Sequence, residues 1–157
     1  MTVRFTLLGA LLLAMLCSSC EGLDTNYKFQ LSRDCMNAIT SSSNSYSAER
    51  GSLLDSYTGK AASNCKAQLN KQKIDQSYIT SLKDEVTDAE KQVKTMDNQL
   101  YQETQKCGRD EKCKGAAMKK GELKFEDFEN KCISDISMIK EDASSELKVY
   151  MENCMGS

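Results

Sequence analysis

ITSLKDEVTDAEKQVKTMDNQL, residues 79–100, sets Ile79, Leu82, Val86, Ala89, Val93, Met96 and Leu100 at alternating steps of three and four over three heptads. That spacing keeps one apolar seam along a helix and calls for a helical neighbour to fill it. One heptad further lies Cys107, opening the stretch CGRDEKC (107–113), which reads as a hairpin turn with Gly108 suited to a left-handed helix cap. Beyond it, Phe125, Phe128, Cys132, Ile136, Ile139, Ala143, Leu147, Tyr150 and Cys154 recur at a mean step of about 3.6 residues. This is the pattern of one straight amphipathic helix of up to about forty residues.

Working back toward the N-terminus, Leu53, Tyr57, Ala61, Cys65 and Leu69 repeat at steps of four and predict a further helix. A change of register follows between Ile74 and Ser81, where Ser77 or Ser81 can cap a new helix. With neither Gly nor Pro between Lys60 and Cys107, one continuous helix is the alternative, and two helices or a bend is the preferred reading. Tyr27, Leu31, Cys35 and Ala38 predict a first helix over about 24–45, ending in the polar run Thr40 to Ser45, whose side chains compete with the backbone and favour turns. The expected fold is all-α, an elongated bundle of three to four long helices.

The first twenty residues hold Arg4, an apolar run from Phe5 to Leu16 and the small polar stretch Cys17 to Ser19, the three regions of a signal peptide. Cleavage after Cys20, or as late as Gly22, leaves six cysteines: Cys35, Cys65, Cys107, Cys113, Cys132 and Cys154. An even count in an oxidising compartment reads as three disulfides in a single domain over 21–157. Cys20 as a lipid-anchored cysteine is disfavoured, because Cys17 stands where a leucine-like residue is usual. The apolar run is too short to span a bilayer and no second one follows, so stable membrane insertion is not expected.

Removing residues 1–20 takes away one base and no acid, leaving 20 basic against 23 acidic side chains, so no global attraction to nucleic acid follows. The chain has no histidine, proline or tryptophan. Without histidine there is no Ser-His-Asp or Cys-His machinery and no His-ligated zinc or haem. The Cys-x5-Cys turn and the scattered remainder lack the close paired spacings of zinc modules. Glu126, Asp127 and Glu129 point different ways on a helix and form no calcium loop. No catalytic, cofactor or metal residue is assigned.

Six cysteines allow 15 pairings. If the helices flanking the turn run antiparallel, Cys107 lies level with Cys113, and a continuous middle helix puts Cys65 level with Cys154; Cys35 with Cys132 then fits poorly. A compact four-helix bundle instead brings Cys65 toward Cys132. The pairing stays open, with Cys107–Cys113 favoured.

One charge asymmetry offers a candidate interaction surface. Around the turn lie Lys106, Arg109, Lys112, Lys114, Lys119, Lys120 and Lys124 against Asp110, Glu111 and Glu122, whereas 126–152 holds eight acids and three bases. Such runs are commonly solvated faces; the sharper reading is a surface for an extracellular protein or glycan. The heptads from Ile79 to Leu100 also permit self-association.

Among six-cysteine helical secreted proteins, the insect odorant-binding proteins carry Cys-x3-Cys and Cys-x8-Cys spacings that this chain lacks. Cys35-Met36-Asn37-Ala38, then Glu49-Arg50, then Cys65-Lys66-Ala67-Gln68-Leu69 resembles the helical first half of the TsetseEP-type secreted domain of flies. The ending, Cys132 through Tyr150 to Cys154-Met155-Gly156, is similar to its last helix and short tail. The resemblance implies an extracellular insect protein of gut or other secretory epithelia, with no enzymatic activity and no catalytic residues to carry over. The functional expectation is a secreted, non-enzymatic protein acting through its surface. A carrier of small hydrophobic ligands between the helices is the alternative, and a closed apolar cavity would support it.

Overall fold

The computed structural model describes residues 33–156. Residues 1–20, expected from the sequence to be a signal peptide, and the start of the first expected helix, 24–32, lie outside the described residues. Four helices follow one another: α1 (Arg33–Ser56), α2 (Gly59–Gln68), α3 (Ile74–Lys106) and α4 (Glu111–Gly156), with a 3-10 turn at Leu69–Gln72. There is no strand among the described residues.

Helix α1 runs straight through the polar segment that the sequence marks as a loop. Its buried positions are Cys35, Ile39, Ser42 and Tyr46, a stripe at steps of four, three and four. The hydroxyls find partners that suit a helix: Ser42 shares a hydrogen bond of 3.0 Å with the Tyr78 hydroxyl, and Ser45 donates to Glu49 at 2.9 Å. Packing of the stripe outweighs a weak local preference for turns. The chain then breaks where the sequence suggests continuity, between Ser56 and Gly59. Gly59 takes φ +94°, a conformation side chains rarely adopt, and Ala62 is buried in α2 in place of the expected Ala61.

Helices α2 and α3 are separate, divided by the 3-10 turn and by Lys73 at φ 58°. Neither Ser77 nor Ser81 caps α3, which starts at Ile74 with Asp75 in its first turn, where the helix dipole favours a negative charge. Along α3, Tyr78, Leu82, Val86, Ala89, Val93, Leu100 and Thr104 are buried, with Ile79 and Met96 partly so. Thr104, not Cys107, closes the seam.

The turn at 107–110 reverses the chain. Gly108 sits at φ +56°, and Asp110 accepts from the backbone N–H groups of Lys112 and Cys113, both at 3.0 Å, capping α4. Helix α4 therefore runs antiparallel to α3 and, at 46 residues, extends about 69 Å. Contacts of Ser42 with Tyr78 and of Tyr46 with Asp75 show α1 antiparallel to α3; those of Cys35 with Cys132 and of Glu49 with Lys140 show it parallel to α4.

The molecule is thus a three-helix body joined to a two-helix arm. The body core gathers Cys35, Ile39, Tyr46, Tyr78, Leu82, Val86, Cys132, Ile136 and Ala143. Helix α2 closes one end over Leu69, Ile74, Leu147 and Met151. In the arm only α3 and α4 meet, through Ala89, Val93 and Phe128, and then through Leu100 against Gly121.

Candidate functional site

Three disulfides fasten this frame: Cys35–Cys132 in the body, Cys65–Cys154 at the capped end and Cys107–Cys113 at the arm tip. The compact bundle with Cys65 near Cys132 does not form. Cys35 reaches Cys132 because α1 lies parallel along α4, a course the sum of residue numbers across one hairpin does not foresee. Cys65 reaches Cys154 without a continuous middle helix, because α2 folds over the end of α4, where Tyr150 donates its hydroxyl to the Cys65 carbonyl at 3.0 Å. All six sulfurs are bonded, so none is a thiolate nucleophile.

The cations singled out in the sequence come together at the arm tip. Lys106 ends α3, Arg109 lies in the turn, and Lys112, Lys114, Lys119, Lys120 and Lys124 line the first turns of α4. Their surroundings divide them. Lys114 pairs with Glu111 at 2.7 Å and Lys120 with Glu103 at 3.4 Å, while Asp110 is engaged in capping. Lys106, Arg109, Lys112, Lys119 and Lys124 are exposed, and no ion pair engages them among the described residues. Asp110 and Glu111 are engaged within the arm, which leaves these five cations exposed without an ion pair, with Glu122 as the exposed acid among them.

Beside the tip lies an open surface concavity of about 460 Å³, bordered by Thr104, Gly108, Glu111, Lys114 and Met118. Its rim is mixed polar and apolar, and it is not enclosed. Between the helices, at Leu100 and Gly121, the crevice is about 10 Å³, too small for an organic ligand. The heptad seam proposed for self-association is filled by this chain's own α4 and α1.

Sequence reasoning misses a second constellation, in the body. Tyr46 and Tyr78 stack with ring centroids 4.2 Å apart. Tyr46 donates to Asp75 at 2.9 Å, and Arg50 donates to both oxygens of the same carboxylate at 2.8 and 3.1 Å. Burial first, then the Asp75 charge, pushes the Tyr46 hydroxyl well above its ordinary value; burial also raises Tyr78. Neither tyrosine is poised for proton transfer near neutral pH. The Tyr46–Arg50 spacing is visible in the sequence, but nothing there points to Asp75, a helix away.

Where α1 faces α4, Lys140 donates to Glu49 at 2.8 Å and Ser144 donates to its other oxygen at 3.2 Å. The Lys140 hydrogen bond is the main cause that lowers the Glu49 carboxyl and raises the Lys140 ammonium. Both constellations join helices to each other and leave no open position for a ligand.

The fold and the tip define a class: a disulfide-stapled, all-helical bundle with a basic two-helix arm. Comparison with protein-family models, curated proteins and solved structures returns no match.

Proposed function

We propose that this chain is a secreted, non-enzymatic helical protein that acts through its surface in an extracellular fluid or gut lumen, with the arm tip as its binding end. The observation that carries the reading is the set of five exposed cations without an ion pair near a disulfide-closed turn whose own acids, Asp110 and Glu111, are engaged within the arm. Complete pairing of the six cysteines suits an oxidising compartment, and no described helix is long and apolar enough to cross a membrane. The likeness of the two cysteine-bearing stretches to the TsetseEP-type domain points the same way.

Expression of the tagged chain in insect cells tests the reading. The protein is expected in the medium, with gel mobility that changes on reduction, and it should bind epithelial or microbial surfaces. Lys106→Glu/Arg109→Glu/Lys112→Glu should abolish that binding. Retention inside the cell, or surface binding indifferent to these substitutions, would overturn it.

A further inference from the structure

We propose that the arm tip binds a linear acidic polysaccharide, sulfated or carboxylated; this rests on the reading of the tip as the binding end. Shape is the first argument. Lys112 and Lys119 stand one heptad apart, about 10 Å along one row of α4, while Lys120 and Lys124 form a second row roughly 80–140° around it. Lys106 and Arg109 continue the charge over the end of the arm. The cations on α4 spread over an arc of about 140° rather than lining a pocket, and the concavity beside the tip includes an acid, Glu111, on its rim. A flexible chain carrying regularly spaced anions can follow such a surface, but a rigid acidic patch meets only one side of it.

Residue type is the second argument. Four of the five exposed cations without an ion pair are lysines, Arg109 being the exception. Lysine is depleted at the centres of protein–protein interfaces, where arginine and aromatic residues dominate, yet its hydrated ammonium suits long-range attraction to a polyanion. Among the described residues the arm builds no broad apolar face of the lipid-binding kind, its exposed large apolar side chains being Tyr101 on α3 and Met118 and Leu123 on α4. Leu123 and Met118 are exposed on α4, but five positions apart they point about 140° away from each other and build no common apolar face.

The experiment uses the oxidised mature chain and heparin as the polyanion probe, with affinity measured against salt concentration. Five contacts predict a slope of log K on log salt of about −3.5 to −4.5, on the scale of counterion release from nucleic acids. Lys112→Gln/Lys119→Gln/Lys124→Gln should weaken binding at least about tenfold and flatten the slope by about two to three. Lys60→Gln/Lys83→Gln/Lys148→Gln changes net charge equally, on exposed positions outside the arm tip, and should leave binding within about twofold. All six positions are exposed and helical, and circular dichroism verifies that both variants fold.

Equal losses in the two variants would overturn the proposal, as would tighter binding to phosphatidylserine vesicles or to single-stranded DNA than to heparin. If cell-surface binding depends on the tip but survives enzymatic removal of acidic glycans, the polysaccharide assignment fails while the binding end stands. If surface binding ignores the tip altogether, the underlying reading fails too.

Discussion

Gly115 and Gly121 lie six residues apart on α4 and meet opposite surroundings. A Cβ at Gly115 has nothing within 4 Å, whereas one at Gly121 would lie 3.1 and 3.2 Å from the two methyl carbons of Leu100. Gly115→Ala should therefore stabilise the chain by about 0.5–1 kcal/mol through helix propensity alone. Gly121→Val should destabilise it by about 1–3 kcal/mol, because the seam opposite is already filled. Thermal unfolding of the two variants, read side by side, tests the close approach of α3 and α4. The buried network offers a second case: Tyr46→Phe removes one hydrogen bond to a carboxylate and should cost about 1.5–3 kcal/mol. A loss near zero in denaturant unfolding would show that Arg50 alone satisfies Asp75.

Protonation at two carboxylates acts in opposite directions. Glu85 is raised above its ordinary value of 4.5, first by burial and then by the Asp135 charge. A carboxyl raised in the fold is penalised when ionised, so the penalty is present at neutral pH and vanishes as pH falls through the raised value toward 4.5. Glu85→Gln should then gain up to about 0.5 kcal/mol at neutral pH and nothing in acid. Glu49 has the reverse sign: lowered by Lys140, it contributes stability above 4.5 that is lost as pH falls through its depressed value. That contribution is small, since the pair is solvent-screened.

Among the elements, α3 and α4 are legible in the sequence because each buries an uninterrupted apolar stripe. The heptad row survives almost position for position, from Ile79 to Leu100. Helix α1 is less legible, since its stripe includes Ser42, whose burial depends on a tyrosine 36 residues away. The break before α2 is hidden for a different reason. Steps of four continue through Tyr57 and Ala61, but Gly59 takes a positive φ that no periodicity reveals. Gly59→Ala should cost about 1–2 kcal/mol by forcing a side chain into that conformation. The cluster of cations is readable as a count, yet which ones are free of ion pairs depends on Glu103 and Glu111 being within reach. The bridges contribute unequally as well. Loops of 97 and 89 residues predict about 4.5 kcal/mol each from chain entropy, against about 2 for the six-residue Cys107–Cys113 loop. The urea midpoint should fall further in Cys35→Ala/Cys132→Ala than in Cys107→Ser/Cys113→Ser.

At the scale of the whole molecule, a body of three helices carries an arm of two, and charge is divided along the same axis. The acidic stretch from Glu126 onward belongs mainly to the body, the basic one to the arm. Because the heptad seam is occupied by the chain's own helices, light scattering is expected to return the mass of one chain. A dimer that persists in high salt would require a surface other than this seam.

The order of the bridges along the chain has one more consequence. Cys35–Cys132 and Cys65–Cys154 interleave, with the Cys107–Cys113 loop nested inside both. A single peptide-bond cleavage anywhere between Cys35 and Cys154 therefore leaves the two fragments covalently joined. Limited trypsin digestion should give one band without reductant and separate fragments with it. In a fluid rich in digestive proteases, this interleaving lets a nicked chain hold its helices in register and keep its basic end attached.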